Sequence, residues 1–348
     1  VLTLGFVPGP ATMFQGIFKL PAAHYMTISK GQVKQVKYWD LNFEPEPAIA
    51  EAAATEQFME RLREAVRLRL MSEVPLGALL SGGLDSGTLV ALMGSQLQQP
   101  LKTVSIGFDH PEYDEATHAA ALARTIGTDH RPVTFSEQDF EHYPQVMWHL
   151  EEPQCSATAV PIYRLYRACR EAGLTVVLTG EGADELLGGY HWHRGDRLAR
   201  SLLGVPYPLR RLLVKAPLPM SAAARRVLKY GTRDLPKRYR HWLEIPDDGY
   251  RSALFSDSVK SELLANQVNP LLAGWGDYVS DLAGADPFHR LLWLEAQTRL
   301  VDFINFEVDK MSMASSIEAR VPFLDHQLWE FVATLPPGLK LKGRTEKY

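Results

Sequence analysis

Four short apolar runs, LGALLS at 76–81, KTVSIGF at 102–108, RPVTF at 131–135 and TVVLTG at 175–180, alternate with helical segments such as 86–98 and 115–126. That alternation predicts an α/β fold, a doubly wound parallel sheet with flanking helices on both faces. In such sheets a ligand lies beyond the carboxyl ends of the strands. The loops that follow Leu80, Phe108 and Leu178 are therefore predicted to converge on one crevice.

Composition sets the outer limits. A chain of 348 residues, 46% hydrophobic and 22% charged, can bury one large core or two ordinary ones, which excludes disordered and collagen-like classes. With 37 basic against 41 acidic residues, the net charge of −4 gives no electrostatic footprint for nucleic acid or a membrane surface. Two cysteines, Cys155 and Cys169, cannot make a disulfide framework and have no metal-ligand spacing, so a cytoplasmic location is expected. No apolar run approaches the roughly 20 residues that span a bilayer. Because it begins at Val1 and ends at Tyr348 just after a charged run, the chain is expected to be a piece of a longer protein.

Residues 1–44 carry short extended stretches broken by Pro8-Gly9-Pro10, Pro21 and Gly31. Alternation in HYMTISKGQVKQVKYW predicts a β-hairpin turning near Lys30-Gly31. Residues 44–56 open with Pro45 and Pro47 and turn alanine-rich, a linker running into a helix, so a boundary is placed near 45. From Glu51 onward Phe58, Leu62, Val66 and Leu70 keep near-helical spacing, with arginines on the other face. Residues 195–285 read as helical and proline-interrupted without legible chemistry, and Trp242, Trp275 and Trp293 as core.

Two loops carry the chemistry. In ALLSGGLDSGTLVALM a buried strand delivers Ser81-Gly82-Gly83 to a helix expected to start near Asp85 or Ser86. The glycines let backbone N–H groups face a ligand, and the helix start adds unpaired donors and positive potential, an anion site suited to phosphate. The usual phosphate loop supplies a lysine; this one supplies Asp85, which fits phosphate oxygens only with a divalent cation between them. The plainer reading is a tight turn capped by Asp85 or Ser86. The second loop, VLTGEGADELLGGY at 177–190, places Glu181, Asp184 and Glu185 at another strand end, where three acids repel one another unless a cation is near. A solvated acidic turn is the plainer alternative. If both loops share one crevice, Asp85 and Asp184 can hold one magnesium, leaving Glu181 as a general base.

These loops resemble known ones. SGGLDS is similar to the pyrophosphate loop of the ATP pyrophosphatase group, whose fold is adenine nucleotide alpha hydrolase-like. With GEGADELLGGY and VDKMSMASSIEARVPFLDHQLWEFVATLPPGLKLKGRTEKY, nearly the whole chain resembles the synthetase half of the glutamine-hydrolysing asparagine synthetase family. The resemblance implies that 1–44 is the C-terminal remnant of a glutaminase (class II amidotransferase) domain and 45–348 a C-terminally truncated synthetase domain. The catalytic cysteine of the glutaminase domain has no counterpart in Cys155 or Cys169.

By the same resemblance, Ser81, Gly82, Gly83, Asp85 and Ser86 form the pyrophosphate loop, and the backbone at Leu80 and Ile106 holds adenine. Thr179, Gly180 and Glu181 meet the acyl-adenylate, with Glu181 as base; Asp85 and Asp184 bind Mg²⁺; Lys347 reaches the phosphates. Glu185, Lys310 and Arg320, with Met311, are expected around the substrate pocket, while Asp309 and Glu318 suit a structural ion pair as well as a substrate role. Lys347 taken by itself reads as a solvated charge. The implied cofactors are ATP and Mg²⁺. The implied reaction is adenylation of the aspartate β-carboxylate with release of pyrophosphate, then attack by ammonia derived from glutamine. Alternatives are amidation of another carboxylate such as a polysaccharide precursor, β-lactam-like ring closure, and a nucleotide-binding module without turnover. The expected partners are the glutaminase domain, aspartate and glutamine, with no nucleic acid and no membrane, and a homodimer stays open. Gly87 departs from the family, which often has Ser or Thr there, as do Glu151 and Cys155 in EEPQCSATAVP.

Overall fold

The structure, a computed structural model, describes every residue except 44–48, 98, 111–114, 217–218, 221, 231–233, 244–252, 266–274, 276–278, 281 and 283. Pro45 and Pro47 of the expected linker, and much of 244–285, thus lie outside the described residues. The hairpin forms as predicted. Strands β1 (His24–Ser29) and β2 (Gln32–Lys37) pair antiparallel with Ser29 opposite Gln32. Both turn residues, Lys30 (φ 51°) and Gly31 (φ 77°), are left-handed, which is the backbone twist that two-residue hairpins require.

Helix α1 (Glu51–Arg69) follows and buries Ala54, Leu62, Ala65 and Val66. Next come β3 (Leu76–Leu79), α2 (Leu84–Gln96), β4 (Lys102–Phe108), α3 (Ala116–Ile126) and β5 (Asp129–Phe135). Helices α4 (Tyr143–Leu150) and α5 (Ala159–Glu171) lead to β6 (Val176–Leu178), α6 (Ala183–Leu187) and α7 (His191–Ser201). Further short helices lie among the described residues up to 265, and a long helical run begins at Pro287–Glu295. It continues as a ten-residue π-helical stretch, Ala296–Asn305, and ends with Phe306–Ala314. Strand β7 (Glu318–Arg320), the helix His326–Thr334, and a small hairpin of β8 (Leu341–Lys342) and β9 (Thr345–Glu346) complete the order.

Strands β3 to β7 form one parallel sheet in the order β5-β4-β3-β6-β7. Side chains of β3 and β6 alternate between two cores, as the period of two demands. Ala78, Val176 and Leu178 join the core with α1, α2 and the helix His326–Thr334, whereas Val177 faces the core built with α4, α5 and Phe306–Ala314. Both faces are therefore covered. After β3 the chain first winds outward to β4 and β5, then returns to the other side of β3 with β6. The order reverses between β3 and β6, and a crevice opens at the carboxyl ends there.

Residues near both ends of the described stretch 1–43 are tied to this body. Leu4 and Phe6 pack with Leu235, Tyr239, Trp275 and Leu291, and Leu41 and Phe43 join the core that contains Trp293. Trp275 and Trp293 are core as expected; Trp242 is only partly buried, with an Arg226 guanidinium over its ring. Cys155 and Cys169 are free thiols, one exposed and one buried.

Candidate active site

The two acidic loops leave β3 and β6, the neighbours at the switch point, and line one cavity of about 250 Å³. Leu80, Ser81, Gly83, Asp85 and Ser86 line it from the first loop, Ile106 from the end of β4, and Thr179, Gly180, Glu181 and Asp184 from the second. The third loop, after Phe108, falls partly at 111–114, outside the described residues.

The helix start differs from the capped turn that Asp85 or Ser86 would make. Helix α2 begins at Leu84 with Gly83 as its cap and no side chain satisfying its first N–H groups, so these donors stay available to an anion. The Ser86 hydroxyl accepts from Ser81 N–H (3.1 Å) and shares a hydrogen bond with the Ser81 hydroxyl (2.9 Å), which folds the loop on itself. Gly82 has φ +80°, and a Cβ there would meet the Ala119 backbone nitrogen at 2.7 Å. Only glycine fits that bend. At Gly87, where the chain departs from the family, a Cβ would come within 2.7 Å of the Leu122 Cδ2 methyl of α3, which would have to shift.

Asp85 and Asp184 converge on one cation, the Lys347 ammonium, which bonds Asp85 Oδ2 and lies 2.7 Å from Asp184 Oδ1. The β8–β9 hairpin brings Lys347 there, held by Arg197 donating to the Leu341 carbonyl (2.9 Å) and by Arg194 donating to that of Arg344 (3.3 Å). Burial raises the Asp85 pKa, with the Asp184 charge adding to the rise and Lys347 opposing it. Burial pulls the Lys347 pKa down, but its bonds to Asp184 and Asp85 outweigh this and leave it raised. A larger cavity of about 390 Å³ is lined by Lys347 and also by Asp85, and is walled mainly by Phe58, Met59, Leu62, Leu84 and Phe323. The carboxylate pair and the loop backbone face the smaller one.

Glu181 accepts a hydrogen bond from the Thr179 hydroxyl. Burial raises its pKa, the charges of Asp85 and Asp184 add to the rise, and the bonds to Thr179 and the backbone oppose it. A carboxylate so placed holds a proton more readily than a solvated one, as a general base must.

None of Glu185, Lys310 and Arg320 is among the residues lining this cavity. Glu185 is a buried residue of α6, where Tyr190 donates to it (2.7 Å) and Arg299 lies 3.5 Å away. Arg299 also approaches Glu295, which lies 2.5 Å from His193 Nε2, and its guanidinium sits over the Tyr190 and Trp192 rings. This network fixes the helix that carries Asp184. Lys310 pairs with Glu151 at the surface. Arg320 lies on β7 and not in a loop; it donates to the carbonyls of Arg69 (2.8 Å) and Met71 (2.7 Å) and pairs with Glu318. Its work there is to clamp the end of α1 to the sheet.

Sequence reasoning missed Arg299, Gly189, where any side chain would strike Asp184 and Lys347, and Glu307, buried beside Thr158. Gly189 had a signal in the repeated Gly188-Gly189; Arg299 and Glu307 sit in helical sequence with no distinguishing neighbours.

The family model for asparagine synthase matches residues 57–348. The chain is 28% identical to asparagine synthetase [glutamine-hydrolyzing] 1 of Bacillus subtilis, over 100% of this chain and 54% of that protein. It is 31% identical to a putative asparagine synthetase [glutamine-hydrolyzing] of Mycobacterium tuberculosis, over 99% and 53%, and 27% identical to the amidase chyE of Penicillium rubens, over 97% and 54%. The chain thus spans about half the length of the curated relatives it matches.

Proposed function

The chain belongs to the asparagine synthase family, and from that premise we propose that it forms the ATP-using half of an amide synthetase, which adenylates the aspartate β-carboxylate and passes the adenylate to ammonia. The observation that carries this reading is the meeting of Asp85, Asp184, Lys347 and Glu181 at one strand-end crevice. Attack of a carboxylate on a triphosphate brings two anions together, so the site must neutralise charge. Lys347 and the open N–H groups of α2 supply part of that. Two carboxylates converging on one cationic centre also suit Mg²⁺, which takes one or two protein carboxylates and completes its shell with phosphate oxygens and water. Among the described residues no larger group of metal-ligating side chains exists, so Asp85 and Asp184 are the residues that would hold it. When bound, the metal neutralises the departing pyrophosphate. Leu80 and Ile106 line the crevice where adenine is expected.

Once the adenylate exists, ammonia must lose a proton as it attacks the acyl carbon. Glu181 takes that proton, and Thr179 holds its carboxylate in place. Ammonia is supplied by glutamine hydrolysis in a glutaminase domain, of which residues 1–44 are the C-terminal remnant and against the rest of which they pack. In support, Phe14, Ile17, Phe18, Ile28 and Val33 of this stretch are exposed, an apolar display that marks a contact surface.

The test uses the full-length native protein with ATP, Mg²⁺, aspartate and ammonium. AMP, pyrophosphate and asparagine are expected, and Glu181→Ala should lower amide formation at least 10²-fold while ATP–pyrophosphate exchange continues. Production of ADP, or ATP binding without AMP formation, refutes the reading.

A further inference from the structure

A separate cavity of about 290 Å³ shares no lining residue with the catalytic crevice. Arg197, Arg200 and Ser201 line it from α7, Asp286 from the start of the helix Pro287–Glu295, and Gly338 and Leu341 from the segment that leads into the β8–β9 hairpin. Its size is at the lower end of the range of about 300–1,000 Å³ usual for small-molecule sites.

The charges here do not balance. Arg197 donates to the Leu341 carbonyl at 2.9 Å, and among the described residues no carboxylate pairs with it. Arg200 Nε comes within 3.2 Å of Asp196 Oδ2 but makes no hydrogen bond, although it is buried. That carboxylate is already shared, since Arg238 bonds both its oxygens and Trp242 Nε1 donates to it at 3.4 Å. Asp286 is committed in part, its Oδ1 accepting the Phe288 N–H at 2.7 Å. Three guanidinium groups therefore face two carboxylates, and two of the three border the cavity. Such a surplus repels metal cations and suits an oxyanion, which a guanidinium fork grips through paired N–H bonds. The Ser201 hydroxyl and Asp286 Oδ2 add partners for hydroxyl groups.

We propose that this cavity binds a small organic anion, a phosphate or carboxylate on a hydroxylated body, between Arg197 and Arg200, and that the bound anion steadies the hairpin that presents Lys347. Strands of two residues are marginal by themselves. A ligand that touches both α7 and the 338–341 segment binds best when the hairpin is docked, and so favours the docked state. The site stands apart from the adenylating function proposed above; its effect on ATP use rests on that reading.

The experiment is calorimetric titration of the full-length protein with glucose 6-phosphate, gluconate and, as the uncharged control, glucose. At least one of the two anions should bind and glucose should not; the tighter anion identifies the group the arginines prefer. Arg200→Gln should weaken that binding at least tenfold and leave ATP–pyrophosphate exchange without the anion near wild type. Gly338→Glu should do the same and guards against misfolding of the first variant, because Gly338 is exposed and a Cβ there meets nothing within 4 Å. In wild type the saturating anion should lower KM for ATP about fivefold, the lower end of usual coupling. Failure of both anions to bind, or binding unchanged in both variants, overturns the site. Variant-sensitive binding with KM for ATP unmoved overturns the link to the hairpin. Variant-sensitive binding in a protein without any exchange upholds the site and overturns the adenylating function.

Discussion

At Gly189 a methyl group would fall 1.9 Å from Asp184 Oδ1 and 2.0 Å from Lys347 Cε. Neither can retreat without breaking the ion pair that joins the two loops. Gly189→Ala should therefore lower ATP–pyrophosphate exchange by about 10²-fold, the usual result of displacing a reacting group by about 1 Å. The thermal midpoint should stay within a few degrees, because the residue lies at the edge of the crevice and not in a core. A variant with full exchange would show that Lys347 and Asp184 need not meet. Asp85, Asp184 and Glu181 were legible in the sequence as lining one crevice because each stands near glycine in a loop that leaves the end of an apolar strand. Lys347 was legible only by resemblance, for it lies 262 residues from Asp85 and its own neighbours are solvated charges. Glu307 and Arg299 gave no signal: on a helix, a carboxylate turned inward has the same spacing as one turned to water.

Among the elements, β4 matches its apolar run at both ends, while β3 and β6 are shorter than theirs, since the last residues of LGALLS and TVVLTG turn out into the crevice loops. Strand β7 was invisible because Glu-Ala-Arg is charged and only three residues long; it exists by pairing with β6 at the sheet edge. The site-bearing hairpin hangs from a similar surprise. Lys340, which precedes β8, is 1% exposed and lies 3.0 Å from His289 Nε2. Burial lowers its pKa from 10.5 to about 7, and lowers that of His289 to about 3, with the Lys340 charge contributing. Between pH 7 and 10.5 the unfolded chain binds a proton at Lys340 that the folded chain does not, so stability rises with pH across this window. The rise is at most about 1.4 kcal/mol per pH unit. Chemical denaturation at pH 7 and pH 9 should show it in wild type and not in Lys340→Met, which keeps the stem and removes the charge. Equal pH dependence in both proteins would place Lys340 in a solvated setting.

For the whole molecule, the parallel sheet with its switch point between β3 and β6 was readable as a fold class, whereas the way residues 1–44 attach was not. Sequence drew a boundary near 45, yet Leu4, Phe6, Leu41 and Phe43 are buried against the rest of the chain while the stretch between them presents Phe14 (62% exposed) and Phe18 (72% exposed). A stretch anchored at both ends and apolar on its outer side is built to be covered, and the domain that supplies ammonia is the cover proposed above. Two consequences separate this from incidental exposure. The chain produced alone should self-associate in light scattering, and the double substitution Phe14→Ser, Phe18→Ser should reduce that without moving the thermal midpoint, since neither ring is buried. In the full-length protein the same substitutions should lower glutamine-dependent amide synthesis several-fold and leave ammonium-dependent synthesis near wild type, because the crevice at the sheet is untouched. An equal loss with both nitrogen sources would mean the patch supports the synthetase body itself, and no loss with either would mean the ammonia-producing domain sits elsewhere.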